Sequence, residues 1–470
     1  MLGCLFAGTA RGLPGNLYSL SNHCFFQDQA NSIPALLSIP LGHQTMQALL
    51  SFDKAPPFAA PLRFFLTGPL FAAAAGLLLL LQGEDLLSSR WTPGALAMTH
   101  LVTIGFMLQI MLGAVIQVLP VVAGANLAQP LRVAASIHVG LSLGAVLLAG
   151  GFLEFSPLGL TAAAGVLGGT LLAFLGAALA ALLGVPATSP TIRGLQLALF
   201  GLLGVGLLGS LLALALARSW AWPLPPLADL HAGWGLAAWA GVLLAAMAYV
   251  VVPMFQLTPG YPARASWRFP WLLFSLMLTW TLGTLLEWGL LQQLAQLLLA
   301  LVGAALALLT LRLQGLRRRA RADATYRYWQ LGLFGLLLAL CMLACAAIRP
   351  EITQHPAWTP AFGILIGIGG FMPFIIGMLY KIVPFLAWLH LQNAAQGKGF
   401  APPMNKLSPD RPADQQYLVH VIACALLLAA LAWPPLARLA GATFALANLW
   451  LFWNIFSVTR RYQQHLQAFG

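Results

Sequence analysis

The chain alternates apolar stretches of about 20 residues with short polar breaks rich in Gly and Pro. A run of that length is what a helix needs to cross the roughly 30 Å hydrocarbon core of a bilayer. Twelve such runs fall near 62–82, 95–120, 131–153, 159–184, 191–217, 228–254, 269–286, 290–312, 328–348, 361–388, 416–433 and 437–458. The breaks carry the expected punctuation, among them Gly83-Glu84-Asp85, Pro130, Pro186, Pro259-Gly260, Arg317 to Arg321 and Pro402-Pro403. None is long enough for a soluble domain. The pattern therefore predicts an all-α polytopic membrane protein, one twelve-helix membrane domain over 56–462. An N-terminal extension, 1–55, precedes it. Residues 1–45 lack the basic, apolar and small-residue layout of a signal peptide. Met46 opens a short polar lead, and Lys54 and Arg63 flank the first run. The expectation is that Met46 is the biological start.

Composition narrows the class further. The 470 residues are 60% hydrophobic and 7% charged, with a mean hydropathy of +0.85. A soluble domain carries roughly 25% charged residues, so this chain could not cover a water-facing surface. The formal charge of +12 raises the question of nucleic acid, but its distribution answers differently. Of 23 basic residues, 19 fall on the side shared by the two termini and the even-numbered loops; only Arg90, Arg218, Arg349 and Arg438 lie opposite. By the positive-inside rule both termini are cytoplasmic, as an even number of spans requires. The charge is an orientation signal facing the lipid bilayer, and no nucleic-acid partner is expected. The five cysteines show no CxxC spacing, and Cys341 and Cys345, four apart in an apolar run, read as buried core.

An internal repeat follows from three matching span ends: Gly113-AVIQVL-Pro120, Ala246-MAYVVV-Pro253 and Gly377-MLYKIV-Pro384. The prolines are 133 and 131 residues apart, four spans each time. His100 stands 20 before Pro120, and His231 stands 22 before Pro253. The repeat predicts three four-helix arcs with pseudo-threefold symmetry, about 60–185, 190–312 and 327–460.

Twelve helices, cytoplasmic termini, threefold arcs and a histidine near the outer start of the second span together resemble subunit I of the heme-copper oxidases and nitric oxide reductases. The sixth span, HAGWGLAAWAGVLLAAMAYVVVP, is similar to the sixth helix of the C-type oxidases, with Gly235 and Gly241 four and ten residues after the histidine. The resemblance implies a place in a bacterial inner membrane, a heme b, and other respiratory or cytochrome subunits as partners. It implies that His100 is an axial heme ligand and that His231 is a copper ligand. There the match stops. The family's adjacent histidines in span 7 and paired histidines in span 10 are missing from FPWLLFSLMLTWTLGTLLEW and TPAFGILIGIGGFM. Copper, and oxygen reduction by the family's mechanism, are therefore not expected.

The residues themselves leave several readings open. A histidine inside a membrane is costly without a partner, and neutral imidazole suits heme iron, copper or zinc. His100 and His231 form an outer pair of candidate heme or metal ligands, and His138, His390 and His420 an inner trio. His23, His43, His355 and His465 lie outside the spans and receive no role. All 11 acidic residues fall in loops or at span ends, which argues against proton pumping. Lys381, the one basic residue more than two positions inside a span, reads either as snorkelling to the interface or as anchoring a heme propionate or polar substrate. Tyr249 and Tyr380 share a repeat position. The leading expectation is a heme-binding protein of respiratory or nitrogen-oxide-related electron transfer or sensing. The alternatives are a permease or a metal- or heme-handling protein, and a cofactor-free assembly scaffold. The twelve-helix NnrS-type heme and copper proteins of nitric oxide response are a related alternative.

Overall fold

The computed structural model describes residues 54–319, 321–395 and 400–469. The extension up to residue 53, with the expected start at Met46, lies outside them. Twelve long helices occupy the described residues, one at each expected span. They are α1 (Ala59–Gln82), α2 (Pro93–Ala123), α3 (Pro130–Leu153), α4 (Pro157–Leu182), α5 (Pro190–Ala217) and α6 (Leu224–Gln256), followed by α7 (Ala263–Leu285), α8 (Gly289–Gly315), α9 (Ala324–Ile348), α10 (Trp358–Ala395), α11 (Asp410–Ala432) and α12 (Ala437–Phe469). Eleven are long and apolar enough to cross a membrane. The other is α7, whose first turns hold Arg264 and Arg268 and whose body is diluted by Ser and Thr. The many long apolar helices make this an integral, multi-pass membrane protein.

Local chemistry explains the helix starts. Thr92, Ser156 and Ser189 each accept a hydrogen bond from a backbone amide three residues on, with proline at the first helical position. The side-chain oxygen satisfies an otherwise orphaned N–H, and proline spends no donor there. Consecutive helices pack against one another around the bundle, and α12 closes on α1.

Three helices are interrupted alike. In α2, α6 and α10, eight residues adopt the wider π-helical winding: Leu101–Leu108, Trp234–Gly241 and Ile364–Phe371. Each is followed at nearly the same distance by Pro120, Pro253 or Pro384. A π turn inserts an extra residue and frees backbone carbonyls from their usual partners, which is why such turns gather at functional sites. Glycines of the preceding helix make room for two of them: a Cβ on Gly201 would lie 2.3 Å from the Ala238 carbonyl oxygen, and one on Gly335 would lie 2.3 Å from that of Gly369. The backbones approach so closely that only glycine fits.

The prolines do not end their helices; Pro120, Pro253 and Pro384 lie inside them. A buried membrane helix tolerates this because neighbouring elements shelter the lost hydrogen bond. The cysteine expectation also needs correction. Cys341 and Cys345 are exposed on α9, since the apolar run around them faces outward as well as inward; Cys424 on α11 is buried.

Candidate functional site

A cavity of about 1210 Å³ lies inside the bundle, walled by residues of α2, α5, α6, α8, α9 and α10 among others. It exceeds the roughly 300–1,000 Å³ of ordinary small-molecule sites. Most of the wall is Leu, Ile, Ala, Gly and Phe. All three π stretches contribute to it.

His100 and His231 both line this cavity. Their rings are nearly parallel, 21° between planes, with centroids 6.4 Å apart. His100 closes the α-helical lead of α2, one residue before the first π stretch. Its Nδ1 lies 2.8 Å from the Leu96 carbonyl oxygen. A carbonyl only accepts, so Nδ1 donates and Nε2 keeps its lone pair in the neutral ring. That is how proteins orient a ligating imidazole. Phe152 of α3 packs 5.2 Å from the same ring.

His231 stands three residues before the second π stretch. Its Nδ1 is buried without a partner. Gly209 gives the ring its place, for a Cβ there would lie 2.8 Å from His231 Cε1. A buried nitrogen left unpaired is costly in a membrane interior, and here it belongs to a group suited to iron or copper. The pair therefore fits a heme or metal ion that supplies the missing partner.

The inner histidines are placed differently. His138 lies 2.8 Å from Thr67 Oγ1 and meets Phe64 edge-on. His390 packs 5.9 Å from the Phe58 ring, with its Nε2 buried and without a partner. His420, fully buried, donates from Nε2 to the Ile368 carbonyl at 3.2 Å, a carbonyl within the third π stretch; Cys424 Sγ reaches it too, at 3.7 Å. The three thus lie in separate surroundings, and His390 Nε2 and His420 Nδ1 are, like His231 Nδ1, buried without a partner. Among the described residues no group of three or more His, Cys, Asp or Glu is gathered where it could hold a metal ion.

Sequence reasoning missed the surroundings. Arg90 and Asp229 form an ion pair that ties the lead-in to α2 to the first turns of α6, and both line the cavity. Opposite charges close before His100 and His231 were the available signal. His355, given no role above, also lines the cavity, with Gln296 and with Trp358, whose Nε1 is buried without a partner. Gly209 carried no signal, because its purpose lies across a helix interface. Lys381 does not simply snorkel: its Nζ is 2.7 Å from Asp323 Oδ2. Tyr380 joins a network with Gln416 and Asn454, whereas the Tyr249 hydroxyl is buried and unpaired.

No protein-family model matches the chain, and no curated protein is significantly similar to it.

Proposed function

We propose that the protein is a heme-binding integral membrane protein with an arrangement like that of oxidase subunit I. In this reading all twelve helices cross the membrane in three four-helix arcs, and the arginine-rich end with both termini faces the cytoplasm of a bacterium. The observation that carries the proposal is the facing of His100 and His231 across 6.4 Å on the wall of a large apolar cavity. Both would hold the heme b, rather than serving heme and copper separately as the family resemblance implies. The recurrence of the π stretches in α2, α6 and α10 supports the threefold arrangement.

Heme in this cavity would supply reversible one-electron chemistry and a site for a small gas ligand. The chain's own residues do the rest. Leu96 fixes the His100 tautomer, Gly209 leaves room for His231, and the apolar wall excludes water. The role is electron transfer or sensing in respiratory or nitrogen-oxide metabolism, without proton pumping. The test is heme content: protein purified in detergent from heme-replete cells should carry about one heme per chain, and a colourless, heme-free protein would overturn the reading. The large cavity with unpaired donors favours a heme- or metal-handling carrier as the second reading; in that case heme would be present but lost on dilution.

A further inference from the structure

Helices α7 and α8 lie side by side and run in opposite directions, each with a stripe of exposed apolar side chains. On α8 the stripe is Leu294, Leu298, Leu301 and Leu308, between 46% and 57% exposed. Spacings of three, four and seven put these residues on one face. The stripe ends at exposed Arg312. On α7, Leu285, Leu282 and Leu278 are 69%, 50% and 49% exposed and lead to Trp271, then to exposed Arg268 and Arg264. Both tracks finish in arginines at the same end of the bundle.

The turn after α8 adds Arg317, Arg318 and Arg321. The Arg318 amide donates to the Leu257 carbonyl at 3.0 Å, which pins this turn to the segment leading into α7. The Arg317 guanidinium rests 3.6 Å above the Tyr326 ring, which fixes the orientation of its flat cation. Neighbouring acids are already engaged: Asp323 pairs with Lys381 and Arg319, and Asp414 with Arg327. Among the described residues, Arg264, Arg268, Arg312, Arg317, Arg318 and Arg321 have no ion-pair partner.

We propose that this face is a binding site for anionic phospholipid: the arginines take the phosphate and the leucine stripes take the acyl chains. The continuity of apolar track and cation is what selects a lipid over a soluble phosphate or an acidic protein, which would use the arginines and leave the leucines bare. A zwitterionic lipid brings its own cation to the cluster and gains less. Each basic residue near a membrane surface contributes about fivefold to anionic-lipid affinity, and the contribution weakens as salt screens it. The site is independent of the heme reading.

The test is native mass spectrometry of the detergent-purified full chain, titrated with phosphatidylglycerol or phosphatidylcholine. The expected result is a preference for phosphatidylglycerol of at least about tenfold. The affinity for phosphatidylglycerol should fall about twenty-fivefold in Arg317→Gln/Arg318→Gln and in Arg264→Gln/Arg268→Gln. Arg132→Gln, which removes a distant exposed cation, should leave it unchanged. Equal binding of the two lipids, or an equal loss in Arg132→Gln, overturns the proposal. So does displacement of the lipid by millimolar inorganic phosphate, which would mark a small-anion site, or capture of an acidic protein by the arginines with lipid binding unaltered in the variants. If a glutamine variant fails to fold, a sodium chloride titration of the unmodified chain decides: bound phosphatidylglycerol should drop steeply with salt, and salt-insensitive binding contradicts the site.

Discussion

Two polar regions of the bundle are built to opposite plans. At the end nearer the arginine-rich loops, one cluster of polar groups satisfies itself. Tyr328 and Tyr380 both donate to Gln416 Oε1, Gln416 Nε2 donates to the Ala447 carbonyl, and Asn454 donates to Tyr380. Nearby, Asp323 is held by Lys381 and Arg319. On the cavity wall, apart from the Arg90–Asp229 pair, several groups lack partners: His231 Nδ1 and Trp358 Nε1 are buried without one, and His100 is oriented by its backbone so that its second nitrogen is free. A closed network rigidifies a fold. Unpaired imidazole on a cavity wall calls for a ligand. The two regions differ in how far their polar groups are satisfied within one apolar protein.

The comparison can be broken most forcefully at the cavity. Replacing either His100 or His231 by alanine should cut retained heme by about a hundredfold or more, measured as heme per chain, with the helical circular dichroism unchanged. Gly209→Leu should come next. A side chain there takes the space of the His231 ring, whose Cε1 lies 2.8 Å from the position of a Cβ, and heme retention should drop at least about tenfold.

At the closed network the effect moves from ligand to stability. Gln416→Leu strands the buried Tyr328 hydroxyl and leaves Tyr380 with Asn454 alone, and an unsatisfied buried group costs about 1–3 kcal/mol. Denaturant unfolding should register a loss of about 2 kcal/mol or more, with heme content intact. The smallest effect belongs to Asp323, just outside α9. Burial raises its carboxyl pKa, but the hydrogen bond and charge of Lys381, with the Tyr326 amide and Arg319, outweigh that and hold it below the ordinary 3.8. A depressed carboxyl contributes stability that is present above its unfolded pKa and lost as pH falls through the folded one. The melting midpoint should therefore keep this contribution from neutral pH down to about the ordinary carboxyl value and lose it below. In Asp323→Asn that acid-dependent loss should be reduced.

What the sequence made legible was whatever a single helix declares about itself. The twelve apolar runs each became a helix because a long hydrophobic stretch has few other stable forms in lipid. The repeat of Pro120, Pro253 and Pro384 marked α2, α6 and α10, and His100 and His231 came together as a pair. What stayed hidden depends on contacts between helices. The π stretches have no composition of their own and accompany close packing by Gly201 and Gly335. The exposure of Cys341 and Cys345 turns on which face of α9 looks outward. His138, His390 and His420 pack in three separate places, so a shared depth along the sequence could not show whether they meet. The ion pair of Arg90 with Asp229 crosses from the α2 lead-in to α6, and only opposite charges before the two histidines hinted at it.

The most direct measurement is the reduced-minus-oxidised visible spectrum of two purified variants, His100→Ala/His231→Ala and His138→Ala/His390→Ala/His420→Ala. The account predicts that the first loses the heme bands and the second keeps them. Heme bands retained by the first and lost by the second would contradict it and move the site to the inner histidines.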